Sequence, residues 1–245
     1  MKVRAIYFDL DDTLCRYWDA SKAALRASFE AEAPEGVTVE QMTAVWASEF
    51  KKFSPEVKTP EWYDTYLKHG GTTRLELMRR VLATLGHPDE ERAAELSRLY
   101  GVMRDQNLEL FHDALYVLDE LKKSYPLGLI TNGPADIQRE EIATLNLTHY
   151  FDHVFIEGEV GFGKPIQEVF RMAERAVDCQ PSELVFIGNS YAHDIQPASE
   201  AGWHTIWIRR PSDVPPSGQV EQRPEGSPEP DHVVGDLVSI LGLLE

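Results

Sequence analysis

Apolar and polar residues follow two rhythms along this chain, and the change of rhythm marks out its parts. Residues 3–10 are near-continuously apolar after Arg4, the pattern of a parallel strand buried on both faces. Short runs of the same kind recur at 127–131, 154–156, 184–187 and 205–208. Between them lie amphipathic stretches of helical length, at 114–123, 136–145, 166–177 and 195–201. Alternating strand and helix predict a parallel sheet with helices on both faces, whose chemistry sits beyond the carboxyl ends of the strands.

Residues 18–107 break that alternation: helical periodicity runs throughout, with no strand pattern. Candidate helices are 20–33, 39–53, 61–68, 74–85 and 89–105, with breaks at Gly70-Gly71, at Gly86 before Pro88 and at Pro34-Glu35-Gly36. The expected organisation is therefore α/β: a Rossmann-like core from 1–17 and 108–245, and an inserted helical domain from 18–107. Aromatics such as Trp18, Trp46, Phe53, Trp62, Tyr63 and Tyr66 could line a pocket, though large aromatics at helical spacing more often pack the core of such an insertion. Six prolines with Gly, Ser, Glu and Gln make 211–231 a loop or partly disordered excursion within the core. A last short strand at 232–234 and a closing helix at 237–244 follow.

Charge narrows the function. With 41 acidic and 24 basic residues the net charge is -17, so the surface repels nucleic-acid backbones and anionic membranes. A small anionic substrate is still admissible, because a few local cations or a metal ion outweigh a screened field. The two cysteines, Cys15 and Cys179, are too few for a disulfide framework and suit a reducing compartment. Without a signal-peptide pattern or a long apolar span, a soluble cytoplasmic protein is expected.

The candidate chemistry lies where the strands end. The first exit carries Asp9-Leu10-Asp11-Asp12-Thr13, crowded carboxylates whose repulsion must be answered by burial, a cation or a metal. The second carries Thr131-Asn132-Gly133 before Pro134, where a helix can begin. A loop after the third offers Lys164 between Gly163 and Pro165, and the fourth offers Gly188-Asn189-Ser190 and then Asp194. Singly, each is also an ordinary turn, loop or helix cap. Together, in order and each at a strand exit, they supply acids, a hydroxyl, a cation and oxygen ligands.

This set resembles the haloacid dehalogenase superfamily, most of whose members are phosphatases. The superfamily's Asp-x-Asp-x-Thr motif is matched by Asp9, Asp11 and Thr13, its second-motif Thr or Ser by Thr131, and its Lys-Pro by Lys164 and Pro165. Its Gly-Asp-x-x-x-x-Asp motif is matched at Gly188 and Asp194, with Asn189 in the first acidic position. The insertion resembles the family's α-helical cap.

The resemblance implies a small-phosphomonoester phosphatase, with Asp9 as nucleophile forming an aspartyl-phosphate and Asp11 as general acid and base. Thr131, Asn132, Lys164 and Thr13 would hold the phosphoryl group, and Arg16 and the cap would choose the substrate. Mg²⁺ would be bound by Asp9, the Asp11 carbonyl, Asn189 and Asp194, an all-oxygen set. Asn189 brings no charge, so Asp194 is the expected principal acidic ligand. The implied partner is a small phosphorylated metabolite, with no nucleic-acid polymer and no membrane, and the chain would act as a monomer or homodimer. A 2-haloacid dehalogenase or a phosphomutase is the alternative on the same fold, Asp11 arguing against the former. A non-enzymatic binding protein is the reading that the complete Asp9, Asp11, Thr131 and Lys164 set disfavours most.

Overall fold

The computed structural model of the protein describes residues 2–244. Six strands form one parallel sheet: β1 (Ala5–Phe8), β2 (Leu127–Thr131), β3 (His153–Ile156), β4 (Leu184–Gly188), β5 (His204–Ile208) and β6 (His232–Val234). They lie in the order β3-β2-β1-β4-β5-β6, so β1 sits between β2 and β4. Both faces of β1 are buried, as its unbroken apolar run requires. Ile6 and Phe8 join one layer with Val117, Leu118 and Leu121, while Ala5 and Tyr7 join the other with Val169 and Phe170.

Eleven helices complete the described chain. Five of them, α1 (Tyr17–Glu32), α2 (Val39–Glu56), α3 (Tyr63–Lys68), α4 (Gly70–Thr84) and α5 (Glu90–Asn107), follow β1 in succession. The rest are α6 (Ala114–Lys122), α7 (Ala135–Thr144), α8 (Glu157–Val160), α9 (Gln167–Val177), α10 (Gln196–Glu200) and α11 (Val238–Leu241). Helices α1, α2, α4 and α5 close around an apolar cluster of their own that includes Phe29, Met42, Trp46, Met78, Val81 and Leu96. A reciprocal capping box between Thr38 and Gln41 starts α2. The chain leaves the sheet layer for these helices and returns beside itself. Arg16 N donates to Glu109 O at 2.9 Å and Phe111 N to Leu14 O at 2.9 Å. No helix of the described residues is long and apolar enough to cross a membrane.

Several boundaries differ from the sequence pattern. The first strand is Ala5–Phe8, shorter than 3–10, because residues after Phe8 turn to place the carboxylates. Gly70 and Gly71 do not break the helical layer but open α4, where the first N–H groups have no intrahelical partner in any case. The helix expected at 195–201 is α10 preceded by a wider π-type turn, Tyr191–Ile195. Pro197 accounts for this, since it has no N–H to give to the carbonyl one turn back and its ring crowds that carbonyl. The closing helix is one turn, Val238–Leu241, within the expected 237–244.

The segment 211–231 has no helix or strand but is fastened to the sheet end. Glu221 accepts hydrogen bonds from Tyr191 N and Ala192 N at 2.9 and 2.8 Å, and Tyr191 Oη donates to Pro228 O at 2.5 Å.

Candidate active site

Strand order reverses at β1, whose neighbours are β2 on one side and β4 on the other, and such a reversal opens a crevice beyond the strand ends. Asp9 begins the exit from β1, its own N–H still bonded to Ile187 O at 2.9 Å. Thr131 ends β2, and Gly188 ends β4. Lys164 comes from the loop between α8 and α9, and its backbone is gripped by one side chain. Asn132 Nδ2 donates to Lys164 O at 2.7 Å, and Lys164 N donates to Asn132 Oδ1 at 2.8 Å.

That grip aims the ammonium. Lys164 Nζ is buried and lies 2.6 Å from both Asp9 Oδ1 and Asp194 Oδ1. Burial alone would depress its pKa, but Asp194 and Asp9 overcome the effect and hold it above the ordinary lysine value. Asp194 Oδ2 accepts from Ser190 N at 2.9 Å. A Cβ at Gly188 would lie 2.3 Å from that oxygen, so only glycine at the end of β4 admits the carboxylate. Burial raises the pKa of Asp9 to about 6, with Lys164 opposing and Asp194 adding to the shift.

Asp11 is held differently. Gln138 Nε2 donates to its Oδ2 at 3.3 Å, and the Cys15 thiol contacts Oδ1 at 3.7 Å. Burial and then the charge of Asp9 lift its pKa to about 7, against the pull of Arg104. Gln138 also accepts from Thr131 Oγ1 at 2.6 Å and donates to the buried Glu141 at 2.8 Å. Glu141 in turn faces Arg104 at 3.3 Å, which also pairs with Asp105 at 2.7 Å. A polar network therefore runs from the β2 exit through α7 to α5.

Asp12 takes a left-handed backbone, φ 56°, and accepts from Trp18 N at 3.1 Å, so it tethers the first turn of α1. Asn189 accepts from Thr13 Oγ1 at 3.3 Å and donates to Asp213 Oδ2 at 2.9 Å. Two residues expected to touch the substrate are turned to protein partners. Thr13 is fully buried and contacts Asp9 at 3.3 Å. Arg16 is turned to Asp19 and Glu109, at 2.8 and 3.3 Å, and does not line the cavity.

The cavity above these residues has a volume of about 490 Å³, within the usual range for a small-molecule site. Asp9, Asp11, Thr131, Asn132, Lys164, Asn189 and Asp194 all line its floor, and Trp18, Trp46, Phe50, Tyr66 and Arg74 from the helical layer form its roof. Sequence reasoning missed Gln138, Glu141, Arg104 and Asp213. A signal existed for three of them. Gln138 and Glu141 fall on the same helical stripe as Ile142, and Arg104 on that of Ser97 and Tyr100, so polar residues occupy buried-face positions. Asp213 lies in the proline-rich segment, where no periodicity points to it.

Among the described residues no three His, Cys, Asp or Glu side chains form a preformed metal cage. The donors that do meet are two buried carboxylates, Asp9 and Asp194, both on Lys164, with the Asn189 amide joined to Asp9 through the Thr13 hydroxyl. They suit a hard cation that keeps waters. Burial raises the pKa values of Asp9, Asp194 and Asp213, with Lys164 the cation between the first two, and a bound cation would favour their ionised forms. The residues present therefore fit Mg²⁺.

A parallel α/β sheet with a polar centre at its switch point, roofed by inserted helices, defines an enzyme of the capped α/β type. Residues 3–202 match the family model of the haloacid dehalogenase-like hydrolases, and the chain belongs to that family. It is 30% identical to a phosphoserine phosphatase of Thermus thermophilus over 96% of each chain. It is 29% identical to the N-acylneuraminate-9-phosphatase of Rattus norvegicus, over 100% of this chain and 94% of that one. The magnesium-bound structure of the hydrolase YfnB from Bacillus subtilis superposes with a TM-score of 0.75 at 20% identity, covering 100% of both chains. Solved 2-haloacid dehalogenases share the fold as well.

Proposed function

We propose that the protein is a Mg²⁺-dependent phosphatase of small phosphate monoesters that works through an aspartyl-phosphate on Asp9. The observation that carries this reading is the pairing of two unlike carboxyls at the β1 exit. Asp9 is ion-paired to Lys164, while Asp11 lies beside the charge of Asp9 and has a pKa raised to about 7. One is suited to attack and the other to carry a proton, the separation of roles that acid–base chemistry needs. Phosphatase relatives of nearly full length support the same assignment.

Lys164 keeps Asp9 ionised and offsets the charge of the incoming phosphoryl group. An Asp9 oxygen attacks phosphorus, and Asp11 gives its proton to the departing alcohol oxygen. Asp11 then takes a proton from the water that attacks the acyl phosphate, releasing inorganic phosphate and restoring both carboxyl groups. The Asn132 main chain supplies a donor to the phosphoryl oxygens, and the Thr131 hydroxyl, whose single proton goes to Gln138 here, turns from it to supply another when the ester is bound. Asp9, the Asp11 carbonyl, Asn189 and Asp194 would hold Mg²⁺, whose positive charge lets a dianionic ester approach a carboxylate.

A dehalogenase has no use for a proton-carrying second carboxyl, so Asp11 argues against that rival. A panel of phosphate esters assayed with and without Mg²⁺, beside 2-chloropropionate as a dehalogenase substrate, tests the reading. Phosphate release is expected. Asp9→Asn should lower it by about a thousandfold or more, and Asp11→Asn by about a hundred- to ten-thousandfold. Chloride release without ester hydrolysis, or full activity in Asp9→Asn, would overturn it.

A further inference from the structure

Among the described residues, one cation on the cavity wall has no acidic partner. Lys164 is answered by Asp9 and Asp194, Arg104 by Asp105 and Glu141, and Lys58 by Glu157. Among the described residues, Arg74 of α4 forms no ion pair; its Nε makes a long contact of 3.4 Å to Ser97 Oγ. The chain is not short of acids, having 41 of them, so an unanswered arginine on a cavity wall calls for a reason.

The place for this guanidinium is built into α5. It lies over Tyr100, its central carbon 5.9 Å from the ring centroid, and its Nη1 and Nη2 rest against Gly101. A Cβ at residue 101 would stand 2.8 Å from both nitrogens, so a side chain there would push the guanidinium out of this position, whereas glycine leaves it room. Burial, and next the like charge of Arg104, press its pKa below the ordinary arginine value, so an anion arriving here relieves an existing repulsion. The walls nearby are apolar and aromatic, with Trp46 and Phe50 stacked at 4.9 Å. The Trp46 indole N–H is buried without an acceptor.

We propose that Arg74 receives a carboxylate of the substrate, so that the ester is a small phosphomonoester carrying one carboxylate on a largely apolar body. This rests on the phosphatase reading, with the phosphoryl group seated at Asp9 and Lys164. A carboxylate matches the planar fork of a guanidinium and brings the single charge that one unpaired arginine answers. A second phosphate would bring more charge than that to a cavity end where Arg104 already answers Asp105 and Glu141.

Equilibrium binding to Asp9→Asn in Mg²⁺, followed by tryptophan fluorescence, tests this without needing turnover. The probes are matched pairs: 4-(phosphonooxy)benzoate against phenyl phosphate, and 3-phosphoglycerate against glycerol 3-phosphate. The carboxylated member of at least one pair should bind about ten- to a hundredfold more tightly, as a charge-assisted pair predicts. Adding Arg74→Met should bring that ratio close to one, and Arg74→Lys should leave an intermediate ratio; thermal melts show that each variant is folded. Equal binding within both pairs, or a preference that survives Arg74→Met, would overturn the proposal. So would tighter binding of 1,4-phenylene bisphosphate than of the carboxylated ester. Failure of wild-type protein to hydrolyse any ester strikes instead at the phosphatase reading, because the binding ratio is measured apart from it.

Discussion

A carboxyl that gives up a proton near neutral pH must sit where its ionised form is disfavoured, and Asp11 does so beside Asp9 and Glu141. With Asp9 raised to about 6 and Asp11 to about 7, the proposed mechanism requires the first ionised and the second protonated. A narrow bell in kcat/KM against pH is expected, its two limbs belonging to the coupled pair. The groups facing Asp11 include Asp9, Glu141, Arg104, Cys15 and the Gln138 amide. Arg104 lowers the pKa of Asp11, so Arg104→Met should move the alkaline limb to higher pH; a limb that stays in place or moves down contradicts the network.

Lys164 acts on Asp9 and Asp194 in the same sense as Arg104 on Asp11, favouring the ionised carboxylates. Lys164→Met leaves Asp9 and Asp194 buried without their cation, and a loss of about 3–5 kcal/mol is expected in urea denaturation at neutral pH in EDTA. Both carboxyls have folded pKa values above their unfolded value of 3.8. The stability linked to their protonation is thus complete below 3.8 and lost as pH rises through the folded values, about 6 for Asp9. Acidification should therefore shrink the defect of the variant.

At the scale of elements, the strands were legible because both faces of a parallel sheet are buried, leaving unbroken runs such as 127–131 and 184–187. The five helices after β1 were legible from their stripes. What escaped were features set by partners distant in sequence. The wider turn at Tyr191–Ile195 is made by Pro197 and tied by Glu221, 30 residues from Tyr191. Asp9, Thr131, Lys164 and Asp194 could be read as strand-exit residues, but the hydrogen bonds by which Gln138 and Asn132 aim them depend on packing that no spacing reveals. Glu221→Ala removes the acceptor for Tyr191 N and Ala192 N and should cost about 1 kcal/mol, as the loss of a helix cap does. Faster proteolysis within 211–231 would accompany it, and an unchanged denaturation midpoint would contradict the anchoring.

For the molecule as a whole, the net charge of -17 sets the terms on which an anionic ester arrives. The cations of the site are local and largely answered, whereas the repulsion is long-ranged and screened by salt. Raising ionic strength from about 10 mM to about 150 mM shortens the screening length from about 30 Å to about 8 Å, so kcat/KM for an anionic ester should rise. A steep fall would mean that local cations dominate the approach.

The two crossings between sheet and helical layer, bonded to each other at Arg16–Glu109 and Leu14–Phe111, carry one more consequence. Because the chain departs and returns at adjoining points, everything between them behaves as a cassette. Lengthening it, or exchanging it for that of a relative that keeps a cation at position 104 for the buried Glu141, should leave the sheet in place. Ancestry can thus have varied the roof while keeping the floor, and a chimera joined at these positions should inherit its chemistry from one parent and its choice of substrate from the other.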